Sequence, residues 1–455
     1  MNPITIPNIS IPTIGIPTIG IPSVGFPSAS GGGGLSWPAG MKEHIKAWYD
    51  PKKQGMTNYD VIEAYTEDFT TWTVNKEGVI ANVTSKSITI TNVLNSNPLI
   101  YAYDTFSVRL RIDGLKNGQG IFFGDNKEYT ISENGIYDID TTENIRTNFI
   151  GECNITITQL PTSILKDFSG NGNHAYLYGG KGKLNSGMGV YKVDFTSWRK
   201  SSVQTEVKPD VVKVTPNTSG YLFVQYASSA EIPSYKIKVI GLGDNILTYQ
   251  YATENGRKEI NIVEGENELP PSIKVSNPYQ ICYKLTPGTS VFTITQIPDY
   301  PDQLCYDGKM YAVAYDMPIL TDYTVMAERT WFEKEEYSAF ISNSLGGMED
   351  PDNGAFSVEI KSLNSFTTIS FGSITSIGIP EKGITYQTKQ SYNGNSINVG
   401  TKESNDILIL GGRYFYKNDN AVGNTWTGCH GAIIVADRSF TEEEINWLKQ
   451  NWDKI

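Results

Sequence analysis

At 455 residues the chain is long enough for about two to four domains. Its Gly-, Asn-, Thr- and Tyr-rich composition, with 11% aromatic residues, fits many short strands joined by tight turns. A net charge of -12 excludes the basic footprint of a nucleic-acid binder, and the four cysteines (Cys153, Cys282, Cys305, Cys429) hold no CxxC pair and are too few for a disulfide scaffold. Reduced thiols in a protein made in a cytoplasm are the expectation.

Residues 6–34 read IPNISIPTIGIPTIGIPSVGFPSASGGGG. Proline recurs every five residues, at Pro7, Pro12, Pro17, Pro22 and Pro27. Apolar side chains at Ile6, Ile9, Ile11, Ile14, Ile16, Ile19, Ile21, Val24 and Phe26 alternate in steps of three and two. A proline removes a backbone donor and disfavours helix at the residue before it, so the segment reads as an extended rope, about 80 Å when fully drawn out. No basic region precedes it and prolines interrupt every apolar run, so neither a secretion signal nor a membrane helix is expected. Glycine every fifth residue rules out collagen. Disordered tails are typically polar and charged, yet residues 1–34 carry no charged side chain. The expectation is an anchor, with Ile6, Pro7, Ile11, Pro12, Ile16, Pro17, Ile21, Pro22 and Phe26 laid along another protein or wound with two further copies. Gly31 to Gly34 then form a swivel.

Next comes a short strand in which Ile45, Ala47 and Tyr49 alternate with Lys46 and Trp48, closed by Asp50-Pro51. A repeat follows. SVRLRIDGL at 107–115 aligns with SYKIKVIGL at 234–242, and NITITQLP at 154–161 with VFTITQIP at 291–298. Val108, Leu110 and Ile112 should face a core, with Ser107, Arg109, Arg111 and Asp113 toward water. Two related β-sandwich units are expected, near 67–161 and 201–301. At the C-terminus, Thr441 and Glu444 form a capping box, Phe440 can staple to Ile445, and Ile445, Leu448 and Trp452 make one apolar helix face.

Two pieces of sequence carry a resemblance: DFSGNGNHA at 167–175 and SFTEEEINWL at 439–448. They resemble the start and end of laminin-G-like domains of the concanavalin A-like jelly roll. With AWYDPKKQGMTN, ILKDFSGNGNHAYLYG, PILTDYTVMAERTWF and GGRYFY, the set looks like virion appendage proteins of Bacteroides-infecting phages, including crAss-like phages. The resemblance covers about half the chain, not the rope, and the inserts only loosely. It implies an all-β chain with one discontinuous jelly roll from 35–66, 162–200 and 302–455, interrupted by the two units. A string of independent domains is the alternative, but 45–60 is too short to bury a core alone.

The resemblance also implies a fibre or decoration subunit of a phage virion, assembled in the host cytoplasm and docked to capsid or tail proteins. Trimers are expected, as is some binding of host-surface glycans by the outward β-domains. A bacterial lectin and a glycan depolymerase are the alternatives. A depolymerase needs a pair of carboxylates flanking the sugar. The nearest spacing, DIDTTE at 138–143, falls in the first inserted unit and reads as a solvated turn. The only histidines are His44, His174 and His430, and Cys429-His430 are strand neighbours that point to opposite faces. SGNGN and NDNAVGN (418–424) read as turns rather than calcium loops. No cofactor motif, metal set, nucleic-acid surface or membrane segment is expected. The 27 Tyr and 8 Trp suit a sugar platform as well as a core, and composition does not sort Trp198, Trp331 and Trp426 between them.

Overall fold

The strand Ile45–Tyr49 reaches almost the whole length of the chain to find its partner: in a computed structural model it pairs antiparallel with Thr427–Ala436, near the C-terminus. The structure describes residues 35–74, 79–92, 100–101, 106–117, 119–123, 129–141, 153–181, 185–200, 204–226, 231–276, 279–345, 354, 356–362, 364–416 and 421–455. The expected anchor, Ile6 to Phe26, lies outside them. The fold is all-β, with antiparallel sheets and a short C-terminal helix. Among the described residues no helix is long and apolar enough to cross a membrane.

Two eight-stranded sheets form a sandwich. One runs Gly187–Val190, Asp299–Asp307, Thr427–Ala436, Thr324–Trp331, Lys382–Thr388, Ser391–Tyr392 and Asn395–Ser396, with Ile45–Tyr49 also beside Thr427–Ala436. The other runs Ile164–Leu165, Ala175–Tyr178, Tyr311–Ala314, Leu408–Leu410, Ala339–Ser342, Phe356–Ser362, Ser365–Ser370 and Ser373–Ile377. Their shared core holds Tyr49, Leu177, Tyr306, Tyr323, Val325, Phe340, Leu410, Trp426 and Ile433.

The first sheet is buried on its other face too. Helix Glu442–Asn451 starts at Thr441, whose side chain accepts from the Glu444 amide while Glu444 accepts from the Thr441 amide. Phe440, Ile445, Leu448 and Trp452 then cover Met41, Ile45, Trp48, Met326 and Ile434. This changes the reading of the first strand. A bulge between Ile45 and Ala47 turns Ile45 to the helix side with Trp48, while Ala47 and Tyr49 enter the sandwich. A strand covered on both faces needs no polar alternation.

Each interruption of the sandwich is a separate β-unit with its own core. In the first, the sheet order is Val79–Val83, Ser87–Asn92, Cys153–Gln159, Phe106–Asp113, Gly135–Thr141. One sheet of the second has the same order of chain positions: Gln204–Val207, Val211–Thr215, Phe292–Ile297, Tyr235–Ile240, Gly265–Leu269. The expected start of the second unit at 201 is too late. Its core already takes in Val193, Phe195 and Trp198, so Trp198 is core rather than platform. The same motif opens both units: DFTTW at 68–72 and DFTSW at 194–198 each make one 3-10 turn capped by the aspartate side chain.

The glutamines of the repeated TQ(L/I)P hold the two crossings. Gln159 is 1% exposed, and its Oε1 accepts from the amides of Thr66 (3.0 Å) and Glu67 (2.8 Å) while Nε2 donates to the Glu67 carbonyl (2.9 Å). Gln296, also 1% exposed, does the same for Lys192 (2.7 Å) and Val193 (3.1 Å), donating to the Val193 carbonyl (2.8 Å). Each side chain ties the strand leaving its unit to the segment entering it.

Arg329 and Glu359, both 0% exposed, join the two sheets of the sandwich. Arg329 Nε and Nη2 donate to the carboxylate at 2.5 and 2.8 Å, and Trp331, Thr385 and Tyr392 donate to it at 2.7 to 2.9 Å. Glu359 sits at φ +55, a left-handed backbone that costs about 1–3 kcal/mol unless its surroundings enforce it.

Two outcomes follow. Gln296→Leu strands buried backbone groups and should cost about 3 kcal/mol, with faster amide exchange at Lys192 and Val193; Gln296→Glu, whose second carboxylate oxygen would face the Val193 carbonyl, should not restore the clamp at neutral pH. Parental exchange rates in Gln296→Leu would refute the clamp. Arg329→Met should cost about 3–5 kcal/mol in urea denaturation by leaving a buried carboxylate unpaired, and adding Glu359→Leu should restore part of it.

Candidate functional site

The outward positions of the first unit's sheet form a polar wall. Ile88, Ile90, Leu110, Ile112, Ile155 and Ile157 turn into that unit's core, so the residues between them face the other way. Across the strands, Thr158 lies between Ser87 and Arg111, and Thr156 between Thr89 and Asp113. The Thr89 and Thr156 hydroxyls are 3.3 Å apart. Arg111 is held by Asp113 (2.8 Å), with its guanidinium 4.3 Å from the Tyr315 ring centre and 5.7 Å from that of Phe415. Arg109 pairs with Asp138 and reaches the Tyr176 hydroxyl. The side chains expected to face water therefore include the ones that seat this unit against the sandwich.

Opposite stands an aromatic wall from the edge of the second sandwich sheet. Tyr178 and Tyr311 stack with ring centres 5.2 Å apart and planes 17° from parallel, and Tyr178 shares a 2.9 Å hydrogen bond with Tyr315. Tyr65 donates to Glu63 (2.6 Å), and Lys86 lies 4.4 Å over the Tyr65 ring while pairing with Glu63. Glu63 also accepts from the Gly179 amide (2.7 Å). Burial pushes the Glu63 carboxyl up, but hydrogen bonds from Lys86, Tyr65 and Gly179 outweigh it and hold the group below its ordinary value. Burial and the Glu63 contact raise Tyr65. Gly179 has φ +72, and a Cβ there would come 2.5 Å from the Lys309 carbonyl oxygen, so glycine is required where this corner closes. Between the walls lies a cleft of about 680 Å³.

The motifs singled out from sequence sit elsewhere. Asp138 of DIDTTE is bound by Arg109, whose hydrogen bonds lower its pKa despite partial burial; residues 142–143 lie outside the described residues. Asp167, two residues ahead of SGNGN, accepts from the amides of Trp48, Ser169 and Asn173, while Asn171 and Asn173 donate to the Ile45 and Lys46 carbonyls. The loop therefore laces itself to the first strand. In NDNAVGN, 418–420 fall outside the described residues and Ala421–Gly423 is a strand. Trp331 and Trp426 are core residues, 5% and 0% exposed. Cys282, Cys305 and Cys429 are buried and unbridged, with Cys429 donating to Gln303 Oε1 (2.9 Å). Burial and the neighbouring Cys429 raise Cys305, away from a reactive thiolate.

His430 is fully buried. Its Nδ1–H donates to the Gly431 carbonyl (2.7 Å), so Nε2 accepts from the Tyr306 hydroxyl (3.0 Å). Both ring nitrogens of the neutral form are satisfied, and burial lowers the pKa to about 4. A smaller cleft of about 230 Å³ gathers Asp50, Asp302, Glu328 and Asp453; Lys52 pairs with Asp302 and Gln303 donates to Glu328.

Tyr65, Tyr178 and Tyr311 were not marked from sequence as site residues. The available signal was the alternation in SITITN (87–92) and NITITQ (154–159), two threonine-bearing strands that pair in register.

No family model matches the chain, and no curated protein does. Among solved structures, Trypanosoma rangeli sialidase as a covalent intermediate with 2,3-difluorosialic acid aligns over 83% of this chain and 84% of its own, at 10% identity and a TM-score of 0.24. The same sialidase with the inhibitor DANA gives the same values, and with sialic acid it is 9% identical at the same TM-score. A likeness that low carries no argument about fold or activity.

The folded pKa of His430 lies below its unfolded value of 6.5, so the unfolded chain takes up the proton first. The stability this contributes is present above pH 6.5 and is lost as pH falls toward 4, about 3 kcal/mol at most. In His430→Gln, the decline in urea midpoint between pH 7 and 4.5 should be shallower than in the parent; equal slopes would refute the assignment.

Proposed function

We propose that the chain is a structural and attachment subunit of a phage virion, a fibre or decoration protein. The Ile-Pro leader docks it to capsid or tail proteins, and the β-units project outward to bind host-surface glycans. Binding, not catalysis, is its activity. What supports this is how its reactive side chains are used. Glu359, Asp167, Asp138 and His430 are all engaged in internal networks, whereas the cleft of about 680 Å³ is lined by hydroxyls, amides and tyrosines together with two internally paired ion pairs.

The leader adds to this reading. Residues 1–34 are uncharged and rich in isoleucine, and an extended chain of that kind needs another protein surface to cover it. Three copies winding about one axis would give a trimer. A bacterial lectin would use the same cleft but would not need the leader for assembly.

Deleting residues 1–34 separates these readings. The shortened chain should keep its thermal midpoint and circular dichroism but fail to enter particles in an infected-cell complementation assay. Incorporation at the parental level would overturn the virion role of the leader.

A further inference from the structure

We propose that the cleft between the first inserted unit and the sandwich is a binding site for a neutral oligosaccharide. The inference rests on reading the β-units as binding modules, and names what they hold.

The two walls differ in chemistry. One is a sheet face on which Ser87, Thr89, Thr156 and Thr158 present hydroxyls beside the Asn154 amide. Rows on a sheet lie about 4.8 Å apart across strands and about 7 Å along them, giving a fixed grid of donors and acceptors. The other wall offers Tyr311, partly exposed and backed by Tyr178. A pyranose has both matching surfaces: equatorial hydroxyls for the grid and a C–H face for the ring. At about 680 Å³, the cleft is in the size range of small-molecule sites.

Charge narrows the class. The charged side chains lining the cleft are Glu63, Lys86, Arg111 and Asp113. They pair as Lys86 with Glu63 and Arg111 with Asp113, so they sum to zero. A sialic acid, uronate or phosphate would have to break one of these pairs to gain a counter-charge, and the chain's net charge of -12 opposes polyanions at longer range. A lipid would strip water from the threonine grid and return no hydrogen bonds. A peptide adding as a strand needs an open sheet edge, but the wall is a sheet face, whose central strand Cys153–Gln159 is paired on both sides.

The cleft is also held open before any ligand arrives. Arg111 packed on Tyr315 and Phe415, and Arg109 on Tyr176, fix the unit against the sandwich, so closing around a sugar need not order the walls.

The test uses the full-length chain on an array of neutral gluco-, manno- and galacto-oligosaccharides with sialylated and uronate-containing counterparts, followed by calorimetry on any hit. Neutral glycans should bind. Tyr311→Ala and Thr156→Val should each weaken the hit at least about tenfold, equivalent to about 1.4 kcal/mol. Thr156→Val keeps shape and faces outward, so it guards against a folding defect in Tyr311→Ala; matching thermal midpoints confirm this. No neutral hit, hits confined to anionic glycans, or affinities unchanged in both variants would overturn the proposal. Particle incorporation in the two variants should stay parental, so loss of glycan binding and failure of the virion reading are read separately.

Discussion

A β-sandwich can be interrupted only where the chain leaves and returns at one place. Everything else in this molecule depends on meeting that condition twice. Gln159 and Gln296 meet it by chemistry rather than by bulk. A glutamine amide presents one acceptor and one donor group in fixed geometry, matching the N–H and C=O groups of a crossing backbone. Buried as they are, these contacts are costly to lose, because the backbone groups would then have no partner. The capped DFT(T/S)W turn just beyond each crossing supplies the first aromatic residues of the new core. Each unit therefore begins folding its own interior within a few residues of leaving the sandwich.

The sandwich is itself a long-range object. Its first strand pairs with its last, and SGNGN laces that first strand from the far side of an inserted unit. Both outer faces are occupied, one by the C-terminal helix and one by the first unit resting on Tyr176, Tyr315 and Phe415. Inside, Glu359 and Arg329 place a charge pair between the two sheets, with Trp331, Thr385 and Tyr392 completing the carboxylate's partners. Its five hydrogen bonds fix which strand of one sheet lies over which strand of the other.

Much of this architecture was legible. The capping box, the alternation in both matched strands and the repeat itself are local patterns, and each takes the form the pattern implies. The differences have physical reasons in the packing and in the turns. Ile45 was placed by simple alternation, which assumes one wet face, whereas a bulge and a covering helix bury both. The second unit begins before its first strand: DFTTW and DFTSW are short 3-10 turns, so strand alternation carries no sign of them. Arg109 and Arg111 were assigned to water because polar residues on a strand face usually are; here that face meets another unit.

What the sequence determined by itself is what short-range pattern carries: strand character, the likeness of the matched strands in the two units, and the helix with its cap. Local sterics, hydrogen-bond reach and side-chain alternation decide these. Only the tertiary structure decided the cleft. Its hydroxyl grid comes from 87–89 and 154–158, and its tyrosines from 65, 178 and 311. These segments meet because one folded unit is seated on another, and no pattern in neighbouring residues encodes that placement.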